Sequence, residues 1–360
     1  MATDPSPRRT GRSGGGAGPP RARCSVFPSG ESWLKTGCER LWDGERGLQA
    51  APPAPGVTRP DVPGRNPEPR AQRSGPVLPI DALADLLHNC RATVLAGAGL
   101  STDSGIPDYR GPTTRHIERR PVQYDDFVRD PEARQRYWAR ASRGWARLAD
   151  ARPNAGHLAL GRLERAGLVA GTVTQNVDGL SQQAGARRIV ELHGSLASVR
   201  CLGCEARWPR EAVQAQVSAR NPGWLAVRPA PGAAAPDGDV EVEAEASFRA
   251  PTCPACDGVL KPDVVFFGES VPKPRVEAAR RLVSEGDVLL VVGSSLTVYS
   301  GYRFVRQAEA DGTPIAIVTL GETRGHRHAA VALDAQLSEV LPALADRLGA
   351  RDHYLPDSQA

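Results

Sequence analysis

From about residue 77 to residue 348 the chain alternates short apolar runs with amphipathic segments. The apolar runs predict buried strands over residues 93–95, 171–176, 188–192, 287–295 and 314–319. Apolar positions at helical spacing predict helices over residues 78–90, 130–149, 155–166, 274–285, 300–310 and 333–348. Asn154 can cap the third of these helices. Strands that alternate with helices in this way are typical of an α/β fold with a Rossmann-like, doubly wound parallel sheet.

The stretch TVLAGAGLSTDSGIPDYRG, residues 93–111, turns the first predicted strand directly into a glycine-rich segment. Gly97 and Gly99 have no side chain, so a dinucleotide pyrophosphate could approach their backbone closely. A helix that begins near Ser101 would offer unpaired N–H groups to the same anion. Thr102 stands where the common dinucleotide fingerprint has its third glycine. A tight turn without a ligand is therefore an alternative that the glycines alone leave open.

Polar side chains follow the later strands at the points where those strands end. Gln175, Asn176 and Asp178 follow the second strand, His193 follows the third, and a hydroxyl-rich turn at 293–295 follows the fourth. Carboxyl ends of parallel strands meet at one edge of a sheet, where ligands bind. A histidine there can serve as a general base near neutral pH. A purely structural turn, with Asp178 as a helix cap, is the alternative for the second strand end.

Two cysteine pairs have the spacing of zinc knuckles. Cys201 and Cys204 form one C-x-x-C pair, and Cys253 and Cys256 form the other. Four thiolates complete a tetrahedral zinc site and leave no open position, so the metal would be structural and not catalytic. Two local thiol pairs or a redox disulfide are the alternative, although no thioredoxin-like pattern surrounds either pair. The intervening stretch over residues 230–246 is expected to be an exposed acidic loop.

The formal net charge of +4 arises in the first 75 residues. They contain 12 Lys and Arg against 7 Asp and Glu, whereas the rest of the chain contains 33 against 34. The net charge therefore gives no reason to predict nucleic-acid binding by the rest of the chain. The same 75 residues hold 12 Pro and 12 Gly without a sustained period, which predicts a disordered tail. Neither a membrane-length apolar run nor a secretory signal is evident, and we expect a cytoplasmic protein with no membrane partner.

The stretches GAGLSTDSGIPDYRG, TQNVDG, ELHGS, KPDVVFFGE and GSSLTVYSGYRF occur in this order together with the cysteine pairs. In this combination the chain resembles the sirtuin family of NAD-dependent protein deacylases over about residues 77–345. RRPVQYDDFV, RQRYWARA and LKPDVVFFGES resemble most the class II branch, which includes a mitochondrial sirtuin and bacterial relatives. The resemblance implies that NAD is consumed as a co-substrate, that acyl-lysine proteins or peptides are substrates, and that each chain holds one structural zinc ion.

The resemblance also implies roles for individual residues. The acyl-lysine carbonyl oxygen would attack the ribose C1′ as nicotinamide leaves, and His193 would act as a base toward the ribose hydroxyls, with Asn176 and Asp178 as the other catalytic residues. Val264, Val265 and Phe266 would pair by backbone with the substrate strand. The four cysteines would hold the zinc. Contacts to NAD are implied for Gly97, Ala98, Gly99, Ser101, Ile106, Asp108, Tyr109, Arg110, Gln175, Asn176, Val177, Asp178, Gly293, Ser294, Ser295, Thr319, Leu320, Gly321 and Leu337.

Three positions depart from the family pattern. Ser181 stands where sirtuins usually have histidine, Thr319 stands where they have asparagine, and Leu337 aligns with a position near the adenine that is often cysteine in class II. Thr319 keeps a hydroxyl and lacks amide donors, which predicts a lower affinity for NAD. None of the departures affects His193 or the cysteines. We also expect Asp108 and Arg110 to face the ligand and not solvent.

The expected organisation is a tail over residues 1–75 and a sirtuin catalytic domain over residues 76–350. The Rossmann parts would lie at about 76–112, 153–197 and 258–350, with a helical module at about 113–152 and a zinc module at about 198–257. We expect a monomer. Protein ADP-ribosyl transfer on the same fold is one alternative function, and a non-catalytic module that binds NAD or ADP-ribose is another. Acyl preference is left open: Arg115, Arg119, Arg120 and Tyr124 could meet an acidic acyl group or could be solvated surface.

Overall fold

The structure is a computed structural model that describes residues 79–109, 111, 114, 121–226, 235–237, 240 and 247–350. The predicted tail over residues 1–75 and Arg110 lie outside the described residues, as do Arg115, Arg119 and Arg120. The helices are α1 (Pro79–Leu87), α2 (Tyr124–Arg129), α3 (Pro131–Asp150), α4 (Ala155–Arg165), α5 (Leu180–Gln183), α6 (Arg210–Arg220), α7 (Lys273–Glu285), α8 (Tyr299–Ala310) and α9 (Leu337–Arg347). The strands are β1 (Ala92–Ala96), β2 (Val169–Thr174), β3 (Ile189–Glu191), β4 (Gly194–Cys201), β5 (Arg207–Pro209), β6 (Leu260–Val264), β7 (Val288–Val292), β8 (Ile315–Thr319) and β9 (Val331–Asp334).

A six-stranded sheet in the order β3-β2-β1-β7-β8-β9 forms the larger layer, and each pairing within it is parallel. The chain proceeds outward from β1 through β2 to β3, and later proceeds in the opposite direction from β7 through β8 to β9. The strand order therefore reverses between β1 and β7. This topology confirms the doubly wound parallel sheet, and the reversal point is where such sheets bind ligands.

Helices cover both faces of this sheet, so every residue of the central strands β1, β2 and β7 is buried. Successive residues of a strand point to opposite faces, so Val94 and Leu95 enter different cores. Val94 packs in a buried cluster with side chains of α1, α4 and α9. Leu95 packs in a second cluster with side chains of α7 and α8. Continuous apolar runs such as β7, in which each of the five residues is buried, follow from this two-sided burial.

A smaller antiparallel sheet in the order β5-β4-β6 packs against α2, α3 and α6. Phe127, Trp138 and Val217 of these helices share one buried cluster with Cys201 and Val264 of the sheet. The indole Nε1 of Trp138 donates to the carbonyl oxygen of Leu260 at 3.1 Å, which fixes α3 to β6. The cysteine pairs and the stretch around Val264 are thus supported by a common core.

The stretch over residues 230–246 is described only at 235–237 and 240, and there Ala235, Pro236 and Val240 are buried, which contradicts the expected exposed loop. Two predicted elements of secondary structure are also wrong. Residues 333–348 do not form one helix, because Val331–Asp334 pairs with β8 as the edge strand β9 and α9 begins only at Leu337. No α-helix begins near Ser101. Two short 3₁₀ turns, Ala98–Leu100 and Thr102–Ser104, occupy that segment instead. Gly105 ends the second turn with φ of 79°, a left-handed conformation that glycine adopts without strain, and Pro107 follows it.

The remaining predicted helices and strands are present with ends shifted by a few residues, and the cap of α4 is confirmed. The Oδ1 atom of Asn154 accepts from the backbone N–H groups of Gly156 at 2.9 Å and His157 at 3.2 Å. In the described part of the chain, no helix combines the length and the apolar character that a membrane span requires.

Candidate active site

A cavity of about 1000 Å³ opens at the carboxyl ends of β1, β2, β7 and β8, where the strand order reverses. The described residues predicted to contact NAD line this cavity, with Gly321 as the exception; they are Gly97, Ala98, Gly99, Ser101, Ile106, Asp108, Tyr109, Gln175, Asn176, Val177, Asp178, Gly293, Ser294, Ser295, Thr319, Leu320 and Leu337. His193, Val264, Val265 and Phe266 line it as well. The fold therefore brings the separate sequence motifs to one place.

The glycines after β1 are required by contact between two loops. A Cβ atom on Gly97 would lie 2.7 Å from the carbonyl oxygen of Gly293, and one on Gly99 would lie 2.9 Å from the Cα atom of Gly293. Gly293 itself has φ of 61°. The Gly99 N–H group donates to the Gly293 oxygen at 2.9 Å. The turns after β1 and β7 thus pack backbone to backbone, and the glycine positions leave room for a pyrophosphate to approach the backbone.

Ser101, Asn176 and Asp178 form a hydrogen-bonded group on the wall of the cavity. The Ser101 hydroxyl donates to Asp178 Oδ2 at 2.7 Å and accepts from Asn176 Nδ2 at 3.0 Å. Asn176 Nδ2 also donates to the carbonyl oxygen of Gly97 at 3.1 Å. Asp178 Oδ1 accepts from the N–H group of Leu180 at 2.9 Å, so the aspartate also satisfies the first backbone N–H group of α5, whose N-cap residue is Gly179. The structural role of Asp178 at the start of α5 is therefore present, and its role toward a ligand stays a prediction.

His157 lies buried behind this group, and the sequence patterns did not single it out. Its Nε2 atom lies 3.5 Å from the Ser101 hydroxyl, and its Nδ1 atom accepts from the Asn154 N–H group at 3.4 Å. Nδ1 is an acceptor in this arrangement, so Nε2 carries the proton of a neutral ring. Burial lowers the pKa of His157 to about 4, against a smaller raising effect of Asp178.

This low pKa predicts that His157 destabilises the fold in acid. Its ordinary pKa is 6.5. Between that pH and about pH 4 the unfolded chain binds a proton that the folded chain does not, so the free energy of unfolding falls as pH falls, by about 3 kcal/mol in total. We expect His157→Gln to show a smaller decline than the unchanged protein in urea unfolding at about pH 7 and pH 4.5. Equal declines in both proteins would contradict this assignment.

His193 is held by both of its ring nitrogens. Nδ1 lies 3.0 Å from the carbonyl oxygen of Gln175, and a carbonyl only accepts, so Nδ1 carries the proton. The unprotonated Nε2 atom accepts from the Ser300 hydroxyl at 2.9 Å. Burial is the main effect that lowers the pKa of His193, and Arg275 and Arg303 lower it further, whereas the bond to Gln175 opposes the change. The ring is therefore neutral at pH 7 and presents a basic nitrogen toward residues that line the cavity.

Gln175 links His193 to the turn after β7. Its side-chain Nε2 donates to Ser294 Oγ at 2.7 Å, while its backbone oxygen accepts from His193. Gly301 in α8 lies against the same side chain, and a Cβ atom there would lie 2.4 Å from Gln175 Oε1. Gln175 thus contacts the turn after β7, the start of α8 and the imidazole of His193 at the same time.

The loop after the 3₁₀ turns lies on the cavity wall. Asp108 lines the cavity, and its Oδ1 accepts from the Gly111 N–H group at 2.7 Å and from the Thr114 hydroxyl. The Oδ1 atom therefore stabilises the loop itself. The expectation that Asp108 faces a ligand now concerns only its Oδ2 atom. Tyr109 packs edge to face against Phe267 at 5.9 Å between ring centroids. Arg147 of α3 donates to the Gly105 oxygen at 2.7 Å and so anchors the loop to the helices.

The far end of the cavity is lined by Thr319, Leu320 and Leu337. Gly321 lies just beside it, and its N–H group donates to Asp334 Oδ1 at 2.9 Å. Thr319, which stands where the family pattern has asparagine, is buried at the end of β8. Ser181, the remaining departure, is buried in α5 and is not among the described residues that line the cavity.

The four cysteine sulfur atoms lie together at one end of the smaller sheet. All four Sγ atoms fall within 4.8 Å of one another, with Cys201 and Cys256 at 3.5 Å and Cys204 and Cys253 at 3.7 Å. Zinc–thiolate bonds of about 2.3 Å in a tetrahedron place sulfur atoms roughly 3.8 Å apart. The cluster therefore fits a zinc ion with four thiolate ligands, and it lies outside the cavity.

Several cavity residues were missed at the level of sequence. Ser300 belongs to the quoted GSSLTVYSGYRF stretch, yet only the fold brings its hydroxyl to His193. The spacing of His157 from Asn154 is that of a capping box, and this could have drawn attention to it. Tyr299 and Arg303 belong to the same GSSLTVYSGYRF stretch and Tyr137 belongs to RQRYWARA, although no site role was assigned to them. Further described residues on the wall, with no signal in the sequence, are Arg147, Pro236, Asp237, Glu322, Thr323 and Gln336.

Comparison with known protein families identifies the family to which the chain belongs. The model of the Sir2 family matches residues 97–300, which include the glycine-rich turns, His193 and all four cysteines. The chain belongs to the Sir2 family. The resemblance to sirtuins is thereby confirmed.

Curated relatives and solved structures agree with this membership. The NAD-dependent protein deacetylase 1 of Mycobacterium avium (strain 104) is 53% identical over 268 residues, which are 74% of this chain and 94% of that protein. The protein of the same name from Streptomyces coelicolor is 49% identical over 271 residues, 75% of this chain and 90% of that one. A solved complex of a Sir2 protein with a p53 peptide and NAD+ is 30% identical, with a TM-score of 0.60, and the match covers 76% of this chain and 99% of that one.

Proposed function

We propose that this Sir2 family member is an NAD-dependent protein-lysine deacylase that releases nicotinamide and O-acyl-ADP-ribose. The observation that carries the proposal is the position of His193. Its basic Nε2 atom belongs to the wall of a single cavity that is bounded by the glycine turns after β1 and β7 on one side and by residues 264–266 on the other. Such a cavity can hold a dinucleotide and an extended peptide against one base.

The relatives support the same activity. Bacterial proteins at about half identity are named NAD-dependent protein deacetylases, and a further structural neighbour, 29% identical with a TM-score of 0.60, is a Sir2 protein bound to an acetylated peptide. We therefore assign NAD as the co-substrate and an acyl-lysine protein or peptide as the second substrate. Within the family we assign the chain to the class II branch, on its RRPVQYDDFV and LKPDVVFFGES stretches.

The proposed contacts to NAD follow the cavity from these glycine turns outward. The turns at Gly97 and Gly293 would receive the pyrophosphate, Asn176 and Asp178 the nicotinamide, and Thr319 and Leu337 the adenosine. Ser101 would orient both nicotinamide residues through its two hydrogen bonds. Arg110, which the sequence also indicates, would add a cation to the phosphates.

His193 would take a proton from a ribose hydroxyl of the bound NAD. Its Nδ1–H bond to Gln175 fixes the tautomer in which Nε2 is the base. A lowered pKa keeps that nitrogen unprotonated at neutral pH, which is the state that a general base needs. Because Ser300 already donates to Nε2, it would either yield its place to the ribose hydroxyl or share the nitrogen with it.

We propose the domain arrangement that the sequence indicates. Rossmann parts at about 76–112, 153–197 and 258–350 would carry NAD, and a helical module at about 113–152 and a zinc module at about 198–257 would complete the peptide side. One zinc ion would occupy the four-cysteine cluster and hold β4 near the second knuckle. The zinc would supply folding stability and no chemistry at the cavity, since four thiolates leave no open position.

We further propose a cytoplasmic monomer without a nucleic-acid partner. In reducing compartments disulfides are rare, and paired cysteines there are more often metal ligands. The charge of the chain outside its first 75 residues is nearly balanced, with 33 Lys and Arg against 34 Asp and Glu, which gives no electrostatic reason to bind DNA or RNA.

One panel tests the activity. The purified chain is incubated with NAD and a set of peptides that carry acetyl, longer fatty acyl, lipoyl or acidic acyl groups on lysine, and nicotinamide release is measured for each. We expect release that depends on the peptide, with O-acyl-ADP-ribose as the second product. Transfer of labelled ADP-ribose to protein would instead favour an ADP-ribosyltransferase. Binding of NAD in calorimetry without nicotinamide release from any peptide would favour a non-catalytic module.

A further inference from the structure

Lys261 in β6 is a fully buried lysine close to residues 264–266, which line the cavity. Its side chain is 0% exposed, although lysine is almost never fully buried unless it is paired. Its Nζ atom lies 2.9 Å from Glu269 Oε2 and donates to the carbonyl oxygen of Val264. It also lies 4.3 Å from the ring centroid of Phe266. Burial lowers the pKa of Lys261, and Glu269 counteracts that change.

Glu269, which follows residues 264–266 in the chain, is the second member of the ion pair. Its Oε2 atom accepts from the Phe266 N–H group at 2.9 Å, and its Oε1 atom accepts from Arg200 at 3.1 Å. Arg200 in β4 is partly exposed, so water can solvate it if the carboxylate is removed. The buried ammonium and the carboxylate, whose side chain is 13% exposed, are thus both satisfied, which is the condition under which a buried charge is tolerated.

The two charged groups act on backbone atoms on either side of Val265. Lys261 holds the carbonyl of Val264, and Glu269 holds the N–H group of Phe266. Between them, the Val265 N–H group donates to the backbone oxygen of His193 at 2.8 Å. The extended segment over residues 264–266 is therefore fixed at three successive residues, and one of these bonds joins it to the proposed base.

We propose that Lys261 and Glu269 are positioning residues that hold residues 264–266 in the extended form that receives the acyl-lysine peptide. This inference rests on the proposed deacylase function. A peptide that adds a strand gains affinity from backbone hydrogen bonds, and it gains most when the receiving backbone needs no reordering. Loss of the pair should therefore weaken peptide binding and leave NAD binding, which uses the opposite wall, nearly unchanged.

A purely structural role for the pair makes a different prediction, and the double replacement Lys261→Met with Glu269→Met distinguishes the two. Replacing both members of a buried ion pair by apolar residues of similar volume is often neutral or stabilising. The double variant should thus regain the stability that either single change loses. If the pair only stabilises the fold, catalysis should recover with it. If the pair positions the loop, the defect in peptide binding should persist.

The test uses the full chain with the acyl-peptide that gives the highest turnover in the panel above. For each variant, KM for the peptide, KM for NAD and the thermal midpoint are measured. For Lys261→Met and the double variant we expect the peptide KM to rise about tenfold, the worth of a hydrogen bond to a charged group, with the NAD KM within about twofold. Glu269→Gln keeps an oxygen for the Phe266 N–H group, so we expect a smaller rise.

Asp346→Asn is the matched control, because it removes a carboxylate that pairs with Arg162 at 2.6 Å between α4 and α9, away from the cavity. It should leave both KM values unchanged. The inference is overturned if the double variant has an unchanged peptide KM, or if both KM values rise in the same proportion. If a methionine variant does not fold, an unchanged peptide KM in folded Glu269→Gln overturns it as well. An unchanged protein that turns over no acyl-peptide overturns the proposed function and this inference together, a result distinct from the others.

Discussion

Replacing His193 by tyrosine is expected to lower the formation of nicotinamide and O-acyl-ADP-ribose from NAD and an acyl-peptide by about 10²- to 10⁴-fold. The phenol cannot act as a base near pH 7, because its pKa of about 10 keeps the oxygen protonated. It also cannot donate to the Gln175 oxygen from the position of Nδ1 while a second atom accepts from Ser300. The chemical step should therefore be lost, although the cavity remains.

Two further variants separate chemistry from general damage. Ser300→Ala removes the hydroxyl that donates to Nε2 and leaves the Gln175 bond intact, so we expect a loss of roughly tenfold or less. His88→Gln alters an exposed histidine at the end of α1 and should have no effect. Binding of NAD to His193→Tyr, measured by calorimetry, should stay within a few fold. Turnover by His193→Tyr equal to that of His88→Gln would refute the role of the base.

The pH dependence gives an independent measurement of the same nitrogen. Because burial places the pKa of His193 below its ordinary value of 6.5, the base form predominates at neutral pH and is lost as pH falls through the lowered pKa. We expect the acid limb of the kcat/KM profile to have its midpoint below pH 6.5. A midpoint above pH 6.5 would mean that a different group is the base.

The strands of the large sheet were predictable because burial on both faces leaves long apolar runs, as in β7 and β8. The failures have a common cause. Val331–Asp334 is a short edge strand whose residues are only partly apolar, so its pairing with β8 leaves no periodic signal. The segment after Ala98 has the composition of a helix start, yet contact between Gly99 and Gly293 imposes 3₁₀ turns. A tertiary contact of this kind is invisible in a local pattern.

The site follows the same division. Residues at strand ends, such as Asn176 and His193, were predictable because topology brings the carboxyl ends of parallel strands together. The partners that set their chemistry were not. Ser300 lies 107 residues from His193, and His157 lies 56 residues from Ser101. Which ring nitrogen of each histidine carries the proton depends on the hydrogen-bond partners of both nitrogens. Those partners depend on packing between elements that are remote in the chain.

Removal of one buried thiolate is expected to abolish activity although the cysteine cluster lies outside the cavity. We expect Cys253→Ser to lose its zinc, because three thiolates and a hydroxyl bind the ion far more weakly than four thiolates do. Cys201 and Cys253 belong to the same buried cluster as Val264, Phe266 and the helices α2, α3 and α6. Loss of the metal should therefore loosen β4 and β6 and, with them, the loop that is proposed to receive the peptide.

The expected measurements are a zinc content that falls from about one ion per chain to roughly a tenth of that, and a thermal midpoint lower by about 10 °C or more, since binding of a structural zinc is folding free energy. Ala255→Ser, an exposed change inside the same knuckle, keeps every thiolate and should retain zinc, midpoint and turnover. Treatment of the unchanged protein with a strong chelator should reproduce the Cys253→Ser result, and added zinc should reverse it. Stoichiometric zinc in Cys253→Ser, or full turnover in the metal-free protein, would contradict a structural zinc at this cluster. Because peptide binding depends on β6 and NAD binding depends on the large sheet, the metal-free protein should lose affinity for the peptide before it loses affinity for ADP-ribose.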